Sequence, residues 1–577
     1  MSFDYGALPR EFPRHHVPAD LKFDWESLSK LYDELKQREL PTRQDIERWL
    51  NDESELYAVV AEERSLRRVR NTTQTDNPEY ERAFLQFIQE LEPKLKQARF
   101  ELDKKFVASP ARDQLPRDYY RVMVRNRSNS VALFRPENVE LEKQDSELKT
   151  RYEKISAAMT VDFRGEERTL NQMVRFYDDV DRKVRMEAWE LSERRRLADA
   201  DALDQIYEEQ VKLRASMAKN AGFDSFRDYT FSKLERFDYT PRDCYDYHDA
   251  VEKHFVPLRR QLDKERMEKL GVETLRPWDM TVDPQGRPPL RPFNGAAELV
   301  RGCSKVFQMV DPVFAGYFSK LVDLNLLDLE SRKGKRPGGY QSTFTQLQLP
   351  FIFTNAVGRD NDVRTLCHEA GHSFQTFLLR EKDYPFDYLY GYGSEIAEVA
   401  STSMELISGT YFEGVFYNAD EARRSNLEEY SQMVWLFCWV ATIDSFQHWV
   451  YTHPDHSREE RKQEWVRLFH RFLGLESWAG YEEFERNRWQ RQLHLFEYPF
   501  YYIEYAIAAL GALGIWTTYR REPKEAIAAY RRALSLGGSK PLPEIFGAAN
   551  LSWGFGPSNV KGYADELRAA IGAQARP

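Results

Sequence analysis

The sequence predicts a mainly α-helical fold with a small β-sheet, on three observations. Apolar residues recur at i, i+3, i+4 and i+7 over long stretches, capping residues stand at the starts of those stretches, and alternating patterns are confined to short segments. Leu28, Leu31, Tyr32 and Leu35 follow the helical rule. Pro41-Thr42 opens a second helix with Asp45 in its first turn, and Asn77-Pro78 opens a third as a cap followed by a first-turn proline. The run Glu193-Arg194-Arg195-Arg196 reads as a solvated helix face.

Three segments interrupt the helices. Met159-Thr160-Val161-Asp162-Phe163 alternates and Arg164-Gly165 supplies a turn, which predicts a small hairpin reaching Leu170. The proline-rich stretch from Arg276 to Phe293 lacks backbone donors at its prolines and is expected as an ordered loop. Leu349-Pro350-Phe351-Ile352-Phe353-Thr354-Asn355 has the aromatic and β-branched content of a strand, and Pro350 favours an edge position able to receive an extended peptide. A buried sheet strand is the alternative.

The chain has 577 residues, 42% of them apolar and 31% charged, so it has material for a large core and no composition of disorder. The division expected is an N-terminal helical lobe at 1–180 and a catalytic lobe at 181–577, interwoven as one body. Net charge is −10, from 83 basic and 93 acidic residues, and no basic block suits a phosphate backbone, which excludes nucleic acid as a partner. The start, Met1-Ser2-Phe3-Asp4-Tyr5, has no apolar signal core, and the apolar runs near Met433–Ile443 and Ala506–Trp516 are too short to span a bilayer. Cys244, Cys303, Cys367 and Cys438 form no CxxC pair and fit reduced thiols. The reading is a soluble, cytoplasmic protein without a membrane partner, its oligomeric state left open.

His368-Glu369-Ala370-Gly371-His372 carries the chemistry. Positions i and i+4 of a helix share one face, so both imidazoles reach one metal ion while Glu369 flanks the open coordination position, an arrangement suited to peptide hydrolysis. Gly371 costs a helix interior about 1 kcal/mol relative to Ala, a cost explained if another backbone or a ligand approaches there. Cys367 points about 100° away around the helix and reads as a packed thiol.

Catalytic zinc takes three protein ligands, so a third donor must come from elsewhere. Glu398 is the best candidate, and Glu395, one turn earlier, remains open on helical grounds. Glu405 lies two turns beyond Glu398 on the same face, placed to orient a metal-binding histidine or to form an ordinary ion pair. His494 is followed by Tyr498, Tyr501, Tyr502 and Tyr505; Tyr498, Tyr502 and Tyr505 have i, i+4, i+7 spacing, as for one helical stripe. Such phenols and the imidazole suit an oxyanion, or core packing.

These motifs resemble the M3 zinc peptidases, in particular the oligoendopeptidase F branch related to thimet oligopeptidase. The resemblance rests on His368–His372, on Glu398-Val399-Ala400-Ser401-Thr402 with Glu405, and on the His494–Tyr505 segment, with a weaker echo in Gly338-Gly339-Tyr340. It implies two lobes around a deep channel, one Zn2+ per chain, and internal cleavage of short peptides. His368, His372 and Glu398 would be the zinc ligands, Glu369 the general base, and His494, Tyr502 and Tyr505 the catalytic donors to the oxyanion. Tyr498, Gly339 and Asn355 would bind the substrate main chain. The alternatives are an HExxH zinc carboxypeptidase and a non-catalytic helical peptide-binding scaffold.

Overall fold

A computed structural model describes residues 4–12, 14–380, 385–389 and 391–575, and the main chain alone of residues 386 and 387. Met1–Phe3, part of the start read for a signal, lie outside the described residues. The early helices form where the caps predict. Helix α1 (Trp25–Gln37) buries Leu28, Tyr32 and Leu35. Helix α2 (Arg43–Thr73) starts at Thr42, whose side chain and that of Asp45 satisfy each other's backbone amides, and α3 (Pro78–Gln86) starts at Asn77. The buried faces of α1 and α2 share one core with Phe87, Phe106 and Met123.

The chain forms two compact units, each assembled from three segments. The first comprises Met1–Ala132, Leu290–Asn426 and Ala508–Trp553; the second comprises Leu133–Pro289, Leu427–Ile507 and Gly554–Pro577. The expected cut between residues 180 and 181 falls inside a segment of the second unit. A single boundary cannot divide these units, because their segments alternate along the chain.

In the second unit, β1 (Thr160–Phe163) and β2 (Glu166–Thr169) pair antiparallel as predicted, with Arg164 and Gly165 at φ 58° and 79° in the turn. The proline-rich loop is ordered by Asp279, which is wholly buried and accepts from Arg182 at 2.7 Å and Arg185 at 3.1 Å. The charged run departs from expectation at Glu193, while Arg194 is exposed as expected. Glu193 is buried and lies 3.7 Å from both Arg196 and Arg491, because that face of its helix turns inward and not to solvent.

In the first unit, β3 (Leu327–Glu330), β4 (Tyr340–Phe344) and β5 (Leu349–Ala356) form a sheet of order β3-β5-β4. Strand β5 is therefore central, not the edge that Pro350 suggested. Pro350 is tolerated because β3 begins its pairing at Ile352, so at Pro350 only β4 flanks the strand. The helices that build the sites are α4 (Pro241–Leu270), α5 (Asp360–Leu379), α6 (Ser394–Ser408), α7 (Ala419–Thr452), α8 (Leu493–Glu497) and α9 (Ile503–Arg521).

Candidate metal centre and histidine-tyrosine cluster

Helix α5 follows β5 and carries His368, Glu369 and His372. Its start is fixed by Asp362, whose Oδ2 accepts from the amides of Val357 and Arg359 at 2.8 Å each. Asp360 accepts from the Tyr417 hydroxyl at 2.5 Å and from Ser425 Oγ at 2.7 Å. Against this helix lies α6, and Gly371 sets the distance between them. A Cβ at Gly371 would stand 2.6 Å from both Ala400 O and Ser401 Cα, so only glycine admits the backbone of α6 at this point. Tyr530 holds the same place from outside, its hydroxyl donating to Ala400 O at 2.8 Å.

That contact brings Glu398 to the histidines. One ligand atom each from His368, His372 and Glu398 lie within 4.8 Å of one another, while Glu395 is not part of this group. His368 Nε2 lies 3.4 Å from Glu398 Oε2, and His368 Nδ1 lies 3.2 Å from Glu405 Oε2. Glu405 thus meets the ring nitrogen turned away from Glu398, the position of a carboxylate that fixes a metal-binding imidazole. Ser401 Oγ donates to Glu398 Oε2 at 3.1 Å, a partner that sequence reading passed over although its i+3 spacing gave the signal.

Electrostatics separate the members. Burial pushes the Glu369 carboxyl up to about 7; Glu398 and Glu405 add to the rise, while His368 and the Gln341 amide oppose it. Burial, with the charge of His368, pushes His372 down to about 4. Burial also works against a charged His368, but Glu398 and Glu405 overcome it and hold its proton well above the ordinary histidine range. The carboxylates of Glu398 and Glu405 thus favour a protonated His368, whereas His372 beside it is neutral near pH 7.

The sheet meets the cluster through β4. A Cβ at Gly339 would lie 3.8 Å from Glu369 Oε1, which places the backbone before β4 beside that carboxylate. Asn355 donates its amide to Arg336 O at 2.8 Å and Gly338 O at 2.7 Å, so its side chain holds the Gly339 loop in shape.

His494, Tyr498, Tyr502 and Tyr505 belong to the second unit. The predicted helical stripe is absent. Helix α8 ends at Glu497, Tyr498–Tyr502 form a turn, and only Tyr505 lies on a helix, α9. Pro499 lacks the donor to continue α8, and Phe500 takes φ 64°, a left-handed conformation rare for a bulky side chain. Phe500 is held there by its amide, which donates to Gln447 Oε1 at 3.0 Å, and by its carbonyl, which accepts from Arg236.

The turn still gathers the rings about His494, whose centroid lies 4.9 Å from Tyr502, 5.9 Å from Tyr505, 6.1 Å from Tyr501 and 6.2 Å from Tyr498. The Trp439 indole donates to Gln492 Oε1 at 3.2 Å, which turns the Gln492 amide nitrogen onto His494 Nδ1 at 2.7 Å. The ring proton is thereby assigned to Nε2, which faces the Tyr505 hydroxyl at 3.4 Å. Burial pushes His494 down to about 4, so the imidazole is neutral near pH 7. Trp439 and Gln492 were not singled out from the sequence, and Tyr501 was given no role; Gln492, two residues before His494, was the readable signal.

A mainly helical chain with small sheets that brings two helix-borne histidines and a glutamate together has a mainly α-helical peptidase fold. The chain belongs to Peptidase family M3: residues 176–552 match that family, and residues 21–134 match the Peptidase M3 N-terminal domain. It is 26% identical over 256 residues to an oligoendopeptidase F homolog of Borreliella burgdorferi, and 24% identical over 247 residues to oligopeptidase PepF of Bacillus subtilis. These alignments cover 42% and 39% of this chain and span 42% and 34% of those relatives. The solved structure of PZ peptidase A with inhibitor 2 is similar along nearly the whole chain, with a TM-score of 0.85, 28% identity, and 98% and 99% of the two chains covered.

Proposed function

We propose that this chain is a zinc-dependent oligoendopeptidase that hydrolyses internal bonds of short peptides. The observation that carries the reading is the convergence of His368, His372 and Glu398 within 4.8 Å, with the Glu369 carboxylate buried beside them. Two imidazoles and a carboxylate fit zinc, and three protein donors leave room for catalysis. When bound, zinc supplies Lewis acidity, polarising a carbonyl oxygen and lowering the pKa of water from 15.7 toward about 7.

Glu369 is the group that takes a proton from the attacking water and returns it to the leaving amine, and its burial suits it to hold a proton near neutral pH. Glu405 fixes the His368 ring through Nδ1. The edge strand β4 receives the extended substrate, with Gly339 leaving room beside Glu369 and Asn355 holding the loop. His494, Tyr502 and Tyr505 are assigned to the developing oxyanion and Tyr498 to substrate, on the family motif and on the neutral, Nε2-protonated imidazole. Four buried free cysteines suit a reducing compartment, and we place the activity in the cytoplasm. Among the described residues no helix is long and apolar enough to cross a membrane.

Glu369→Gln tests the assignment. Its kcat is expected to fall by about 10²–10⁴-fold with zinc content unchanged, and near-normal turnover by the zinc-loaded variant would refute the base. Product mapping on a peptide blocked at both ends separates this reading from a carboxypeptidase, which would leave that peptide intact.

A further inference from the structure

The second unit contains another convergence of metal-type donors. Cys244 and His248 stand four residues apart on α4, and Asp444 and His448 four residues apart on α7, so each helix turns two donors to one face. One ligand atom each from Cys244, Asp444 and His448 lie within 4.8 Å of one another, and all three residues are buried. His248 Nε2 donates to Asp444 Oδ2 at 2.8 Å, and His448 Nε2 lies 3.3 Å from the same oxygen.

The cluster is under-satisfied. His448 is 1% exposed, yet its Nδ1 has no hydrogen-bond partner and neither has Asp444 Oδ1, while Nε2 has only the 3.3 Å contact to Asp444 Oδ2. Buried polar atoms without partners are uncommon, and an ion or ordered water is one of the few physical reasons for them. The walls are aromatic: around the His448 ring stand Tyr245 at 4.9 Å, Phe500 at 5.3 Å and Phe231 at 6.0 Å. The nearest cations have other work. Arg236 pairs with Glu504 at 2.8 Å, and Arg471 pairs with Asp249 and Glu252.

We propose that Cys244, Asp444 and His448 hold a second, solvent-closed divalent ion of the zinc type, with His248 steadying Asp444 through Oδ2 and the unpartnered Oδ1 open to the ion. The donor set selects the metal: thiolate with imidazole favours zinc and its neighbours over magnesium or calcium. A thiolate and a carboxylate balance two positive charges, so the occupied site is neutral in its low-dielectric surroundings. Burial keeps the Cys244 thiol protonated when it stands alone, so binding releases that proton to solvent. The ion fastens α4 to α7 behind the turn that carries Tyr498, Tyr501 and Tyr502. Phe500 in that turn packs on His448, and its amide is held by Gln447.

The test uses the His368→Ala/His372→Ala chain, in which the paired-histidine site is removed. Purified from zinc-supplemented cells and dialysed against EDTA while folded, it is expected to retain one equivalent of zinc and to release it to a zinc-sensitive dye on unfolding. X-ray absorption of that zinc should show one sulfur neighbour at about 2.3 Å, a signal that only a cysteine supplies. The wild-type chain answers independently, with two equivalents and sulfur scattering expected. One equivalent without sulfur in the wild type, or no retained zinc in the folded double variant, would overturn the proposal.

Discussion

The two donor clusters are built alike and differ in access. Each sets side chains four residues apart on helices, His368 and His372 on α5, Cys244 and His248 on α4 with Asp444 and His448 on α7. Around His368 the donors are half-buried and Glu369 and Glu405 stand near, whereas around His448 every donor is buried and the neighbours are aromatic. Spacing makes a cluster, and what borders it decides its use. A metal with an open position beside a proton acceptor does chemistry, and an enclosed one holds helices.

The largest effect that sharpens this contrast is the loss of turnover in Glu369→Gln, since the enclosed cluster has no equivalent of that carboxylate. Asp444→Asn removes the carboxylate shared by two buried histidines, and is expected to lower unfolding free energy by about 3–5 kcal/mol. Chemical denaturation reads it, and unchanged stability would erase the distinction between an open and a structural cluster. Glu405→Gln should weaken zinc binding at the open site by about 10–100-fold, measured by competition with a chelator; equal affinity would reduce Glu405 to a bystander.

The smallest effect concerns His494. Its folded pKa, near 4, lies below the ordinary 6.5, so the unfolded chain binds the extra proton between those values. Its contribution is complete above pH 6.5 and is lost as pH falls toward 4. His494→Gln should flatten the stability profile in that window, and parallel wild-type and variant curves would count against the depressed value.

Much of this was legible in the sequence, and the failures have physical causes. The capping box at Thr42 and Asp45, the hairpin turn at Arg164-Gly165 and the paired histidines depend on contacts within a few residues. Even the close approach at Gly371 was readable, because a glycine inside a helix asks for a reason. The centrality of β5 was not, since it depends on β3, a short Leu-Asp-Leu-Glu segment with little strand character of its own. The tyrosine stripe failed at Pro499 and Phe500, where tertiary bonds from Gln447 and Arg236 hold a bend that helical spacing ignores. The second cluster stayed hidden because its halves are 196 residues apart, and either pair alone is commonplace.

Gly371 has a thermal consequence. Because α5 and α6 touch backbone to backbone there, no soft side-chain layer lets the glutamate drift from the imidazoles as the temperature rises. Heating should therefore keep Glu398 beside His368 and His372 until those helices part, so loss of any metal held there and cooperative melting of that unit would appear as one calorimetric event.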